Sequence, residues 1–170
     1  MSHTKNIMLV NLPPNVWEAN ADPVCFVKGA LEANGVTVKL GIDHVDPDAK
    51  NLFFDRFYVE PDFPAKVKAA GVKYGLVCTK SISLDGVWNF GAEKVDPQAL
   101  GALSLAARHA EFIWCQLEGS VEPCRVMNPN SAQICYGFLE GIPQISHNPA
   151  ASKDIDLFMI DMPSPRQGKI

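Results

Sequence analysis

A chain of 170 residues suffices for one ordinary domain with a short appendage, and it can bury a core without disulfide or metal staples. Apolar residues make up 47% and charged residues 20%, a globular balance that excludes a disordered chain, and no run approaches the roughly 20 apolar residues that span a bilayer. The formal net charge of −4 is spread without a basic stripe, which argues against nucleic acid as a partner.

Residues 6–12 (Asn-Ile-Met-Leu-Val-Asn-Leu) form a near-continuous apolar run, the pattern of a strand covered on both faces. Pro13-Pro14 ends it, because proline cannot continue a ladder. Asp22-Pro23 then supplies an N-cap and a proline at the first helical position. Val24, Val27 and Leu31, with Phe26 and Ala30 offset by one turn, draw a helical stripe that stops at Asn34-Gly35. Residues 36–40 alternate and are β-branched, so they predict a second strand, parallel to the first through a right-handed crossover. Residues 43–61, with acidic turns and two apolar clusters, read as an irregular excursion holding at most one short helix.

Residues 62–70 predict a helix capped by Asp62 and closed by Gly71, and 74–79 a third buried strand. Residues 80–94 read as a loop whose aromatics, Trp88 and Phe90, fold back on the core or line a sugar or base site. Asp96-Pro97 opens a capped helix with Leu100, Leu103, Ala106 and Ala107 on one face. Residues 112–115 are too short an apolar run for a core helix and read as a buried strand. Ser120 then caps a short helix carrying Glu122, Pro123, Cys124 and Arg125, and 132–138 predict another strand. This alternation predicts an α/β fold: a doubly wound, mostly parallel, Rossmann-like sheet of about five to six strands with helices on both faces. We set its limits at 1–145, with 146–170 as a linker followed by a strand (155–160) and the start of a helix at Ser164-Pro165-Arg166.

In open parallel sheets ligands bind beyond the carboxyl ends of the strands, and polar chemistry begins where the strand at 112–115 stops. Glu118 is the candidate general base there, if its pKa were tuned upward. Glu122 also suits a helix start on dipole grounds alone. Arg125 could clamp a phosphate or carboxylate in a bidentate fork, and a surface ion pair with Glu122 or Glu118 is the plainer reading. Asn11 and Thr79 end the first and third strands and either bind a ligand or satisfy loop backbone. Asp43, His44, Asp46 and Asp48 are the densest set of metal-ligand types, yet their setting is ordinary turn chemistry, so we expect no metal. Five cysteines without a C-x-x-C pair fit neither a disulfide framework nor a zinc site, and Cys78 and Cys115 read as small buried hydrophobes. Neither a G-x-G-x-x-G nor a G-x-x-x-x-G-K-[ST] loop occurs, so we expect no nucleotide cofactor. The start of the chain has no apolar h-region, which leads us to expect a cytoplasmic protein.

Several segments together resemble the amino-terminal half of a bacterial GT-B glycosyltransferase. They are the strand at 7–11 with Pro13-Pro14, Phe112-Ile113-Trp114-Cys115 leading to Ser120-Val121-Glu122-Pro123-Cys124-Arg125, Asn128-Pro129-Asn130, and Lys153-Asp154-Ile155-Asp156-Leu157-Phe158 followed by Ser164-Pro165-Arg166. The resemblance implies an acceptor-side Rossmann-like domain with a cleft formed by Asn11, Pro13, Asn15, Thr79, Ser81, Glu118, Glu122 and Arg125. It also implies a sugar acceptor as ligand and a donor-binding domain that would lie beyond Ile170 or act in trans. On this reading the chain is inactive alone. The alternative is a non-catalytic binding or assembly module derived from such a domain, associating with itself through the face that once met the second domain.

Overall fold

A computed structural model describes residues 7–11, 14–42, 45–55, 62–88 and 96–135. Six strands form one parallel sheet: β1 (Ile7–Asn11), β2 (Val38–Ile42), β3 (Lys50–Phe54), β4 (Tyr74–Cys78), β7 (Ile113–Cys115) and β8 (Ser131–Gln133), in the order β2-β1-β3-β4-β7-β8. A separate hairpin, β5 (Ser81–Ser83) with β6 (Gly86–Trp88), follows β4. The helices are α1 (Pro14–Ala33), α2 (Phe63–Ala69), α3 (Pro97–Ala107) and α4 (Val121–Met127).

Handedness assigns the helices to faces. The steps β3 to β4, β4 to β7 and β7 to β8 all run the same way across the sheet, so right-handed crossovers put α2, α3 and α4 on one face. The step from β1 to β2 runs the other way and puts α1 on the opposite face. The two cores follow this division and the two-residue period of the strands. Phe53, Tyr74, Leu76, Cys78, Ile113 and Cys115 pack with Val67, Leu103 and Cys124 from α2, α3 and α4. Leu52, Phe54 and Val77 pack with Val24 and Val27 from α1. Buried on both sides, β4 reads as a continuous apolar run, whereas in β3 the run Leu52-Phe53-Phe54 follows Lys50 and Asn51.

Several boundaries differ from the sequence reading, each for a local reason. The first helix begins at Pro14, so Pro23 lies inside it and not at its start, at the expense of one backbone hydrogen bond. The second strand is shifted to Val38–Ile42. The excursion at 43–61 contains β3, a central strand. Its Asn51 looks like a turn residue but is wholly buried, donating to the carbonyls of Asp46 (2.9 Å), Ala49 (3.0 Å) and Lys73 (3.2 Å) and accepting from Asp46 N (3.0 Å). No helix joins β2 to β3 among the described residues. Asp62 does not cap α2 through its side chain but pairs with Lys66 at 2.9 Å, whereas Gly71, at φ +67, closes the turn after that helix as expected. Asp96 caps α3, accepting from Gln98 N (2.8 Å) and Ala99 N (3.1 Å). Ser120 ends a 3-10 turn, Glu118–Ser120, and makes no capping bond to α4. The proposed appendage at 146–170 and Phe90 lie outside the described residues.

Candidate functional site

Because all six strands point the same way, Asn11, Ile42, Phe54, Cys78, Cys115 and Gln133 end at one rim of the sheet. The winding reverses at β1, which has β2 on one side and β3 on the other, and in such sheets ligands bind at the switch point.

Asp55, the residue after β3, stands on that rim. Its backbone N donates to Val77 O at 3.1 Å, extending the ladder by one bond, and its φ of +46 puts it in the left-handed region, which aspartate enters more readily than most residues. That turn of the backbone sends the carboxyl inward, where only 4% of the residue remains exposed. Thr79 meets it from the end of β4: its backbone N donates to Oδ1 at 2.9 Å and its hydroxyl donates to Oδ2. Burial pushes the Asp55 carboxyl above the usual range, and the two Thr79 bonds and the Lys80 charge offset this only in part.

Ser120 joins the next two loops of the rim. Its Oγ accepts from Ile82 N at 2.9 Å and donates to Lys80 O at 3.3 Å, so the segment after β4 is fastened to the 3-10 turn after β7. Thr79, Ser81 and Glu118 therefore share one rim, with Ser81 and Glu118 exposed and Thr79 buried. Below them lies a pool of three thiols. Cys78 and Cys115 are partners across β4 and β7, Cys124 meets them from α4, and none is exposed. Hydrogen bonding with Cys124 and then burial push the Cys115 thiol up, which makes it a poor nucleophile and leaves packing as its role.

Of the remaining sequence candidates, Glu122 and Arg125 fall elsewhere. The Arg125 guanidinium binds the Glu122 carboxylate, and its Nε donates to Ser131 O at 3.3 Å, at the first residue of β8 and hence toward the amino end of the sheet. The pair is exposed and matches the plainer of the two readings, and it points Arg125 away from the rim. Asn11 ends β1 at the rim and Asn15 lies in the first turn of α1, while Pro13, Asp43 and His44 lie outside the described residues. Asp46 accepts from Asp48 N at 3.0 Å and faces Lys39 at 3.8 Å, as a turn residue does. Asp55 escaped the sequence reading. Its signal was an acid straight after Leu52-Phe53-Phe54, the same strand-then-polar pattern that drew notice at residues 112–118.

No family model, curated protein or solved structure matches the chain. Among the described residues no helix is long and apolar enough to cross a membrane, and no group of three or more His, Cys, Asp or Glu is arranged to hold a metal ion.

Proposed function

We propose that this chain is the acceptor-side, Rossmann-like half of a two-domain sugar transferase of the GT-B kind, holding a hydroxyl-bearing acceptor and inactive by itself. The observation that carries this reading is the Ser120 clasp, which draws Thr79, Ser81 and Glu118 onto one rim of a parallel sheet. Glu118, exposed on that rim, is the proton acceptor in this reading, and the Asp55–Thr79 pair holds the rim in shape. No glycine-rich phosphate cradle follows β1, where the sequence reads Asn11-Leu12-Pro13-Pro14, which fits an acceptor-holding half and not a donor-holding one. The test incubates the purified chain with a panel of sugar nucleotides and simple sugar acceptors. Neither hydrolysis nor transfer should occur, while acceptors should shift the amide resonances of Thr79, Ser81 and Glu118. Transfer by the chain alone, or acceptor titrations that leave those amides unmoved, would sink the reading.

The strand order favours a second reading. One strand is laid on the far side of β1 before the winding reverses, whereas the dinucleotide-binding order lays two. That order departs from the dinucleotide-binding pattern, and a non-catalytic binding or assembly module is the reading that does not call on that pattern. Light scattering over a hundredfold concentration range discriminates, since an assembly module self-associates and an isolated acceptor half stays monomeric.

A further inference from the structure

Asp55 carries more chemistry than fastening β3 to β4 requires. An asparagine there would make the same two bonds, its Oδ1 accepting from Thr79 N and its Nδ2 donating to the Thr79 hydroxyl, and it enters the left-handed region at least as readily. It would also spare the fold the burial of an ionisable group. What an aspartate adds is a proton that it can hold or release. Among the described residues the charged and titratable groups that face the carboxyl are Lys80, just past β4, and the buried Cys78 thiol on β4. Burial outweighs the Thr79 bonds and the Lys80 charge, so the carboxyl changes state above the range of an exposed aspartate.

The two states turn the Thr79 hydroxyl in opposite directions. A hydroxyl has one hydrogen to give. With Asp55 ionised, Oδ2 can only accept, and the Thr79 hydrogen is committed to it. Oδ1 is held by the Thr79 N–H, so an added proton goes to Oδ2. The carboxyl then donates to Thr79 Oγ1, and the Thr79 hydrogen turns to another oxygen. We propose that Asp55 is a proton switch for ligand binding at the rim, which takes the hydroxyl of a neutral sugar acceptor when Asp55 carries its proton and releases it when Asp55 is ionised. The inference rests on the acceptor reading above, in which Glu118 receives that hydroxyl's proton. An oxygen whose hydrogen points at Glu118 offers Thr79 only lone pairs, so Thr79 has to be the donor. Acceptor affinity is therefore constant below the Asp55 midpoint and falls about tenfold per pH unit above it, as the protonated fraction falls.

Carbon-13 and amide NMR of the full-length chain test it. The Asp55 Cγ resonance gives the titration midpoint. The Thr79, Ser81 and Glu118 amide shifts give the affinity for methyl glucoside and other simple sugar acceptors between about pH 4 and about pH 8. In the native chain affinity should weaken through the Asp55 midpoint. Asp55→Asn, which fixes the arrangement with Thr79 as donor to the ligand, should bind at every pH with the native chain's low-pH affinity, and Thr79→Val should lose binding throughout. Affinity indifferent to the Asp55 midpoint, a D55N chain that weakens with pH as the native one does, or undiminished binding by T79V would overturn the switch. An acceptor panel that leaves the rim amides unmoved at every pH would instead sink the acceptor reading, and the ligand-free chain then decides the hydroxyl reversal. The Thr79 Cβ shift of D55N should coincide with that of the native chain below the midpoint, and coincidence with the native chain above it would overturn the reversal.

Discussion

Thr79 closes both oxygens of the Asp55 carboxyl, its backbone N–H on Oδ1 and its hydroxyl on Oδ2, and so binds the end of β3 to the end of β4 across the rim. Both residues are buried, 4% and 8% exposed, so water cannot replace either bond.

Replacing the hydroxyl alone isolates one of those bonds. Thr79→Val keeps the shape and leaves Oδ2 buried without its donor, a loss of about 1–3 kcal/mol in unfolding free energy. Urea denaturation measures it, and a change below about 0.5 kcal/mol would mean that the carboxyl finds another donor. The Asp55 pKa should move further up, since the Thr79 bonds pull it down.

Asp55 also sets a pH dependence of definite sign. Burial raises its pKa in the fold above the ordinary 3.8, so the folded chain holds this proton more tightly than the unfolded one. Its contribution to stability is fully present below the unfolded pKa and is lost as pH rises through the folded value. Asp55→Asn removes that leg. The difference in stability between the native chain and D55N should therefore fall with rising pH over that window, and a flat difference would show that the carboxyl titrates normally.

Gly75 is required by Phe112 and not by its own backbone angles. Gly75→Ala should cost about 1–3 kcal/mol through overpacking, because the ring has a strand beneath it and Trp114 beside it. In a chain already carrying Phe112→Ala the same change should cost little. The double-mutant cycle in urea reads the coupling directly.

Asn128 ties two helices together from inside the α3 face. Its Nδ2 donates to Ala107 O (2.9 Å) and Ala110 O (2.8 Å), and its Oδ1 accepts from Asn130 N (2.9 Å). Asn128→Ala takes a donor from both carbonyls, of which Ala107 O keeps Ala110 N at 3.3 Å, and should lower stability by roughly 1–3 kcal/mol, with amide exchange fastest at the end of α3.

The Glu122–Arg125 pair makes the opposite prediction. Its side chains are 78% and 50% exposed, so Glu122→Gln should change stability by less than about 1 kcal/mol and should leave acceptor binding at the rim unaltered. Weakened binding would restore Glu122 and Arg125 to the site.

Strand β3 explains the main miss of the sequence reading. A buried asparagine and flanking acids made 43–61 look like loop, since local composition cannot show that Asn51 finds all its partners in Asp46, Ala49 and Lys73. Pro23 misled in the same way: Asp-Pro reads as a helix start wherever it stands, and only the turns before it reveal a helix already under way. Arg125 was legible as an ion pair because its partner lies three residues away on the same helix.

Apolar period, cap residues and breakers are local quantities, and from them alone the sequence determined an α/β chain with a parallel sheet and the capped helix after Asp96. Which strand lies beside which was decided by tertiary structure, because order depends on the hand of each crossover and on which face is still bare. The meeting of Asp55 with Thr79 belongs to that second kind. The two are separated by a helix and a whole strand, and only the pairing of β3 with β4 brings the carboxyl within reach of its donors.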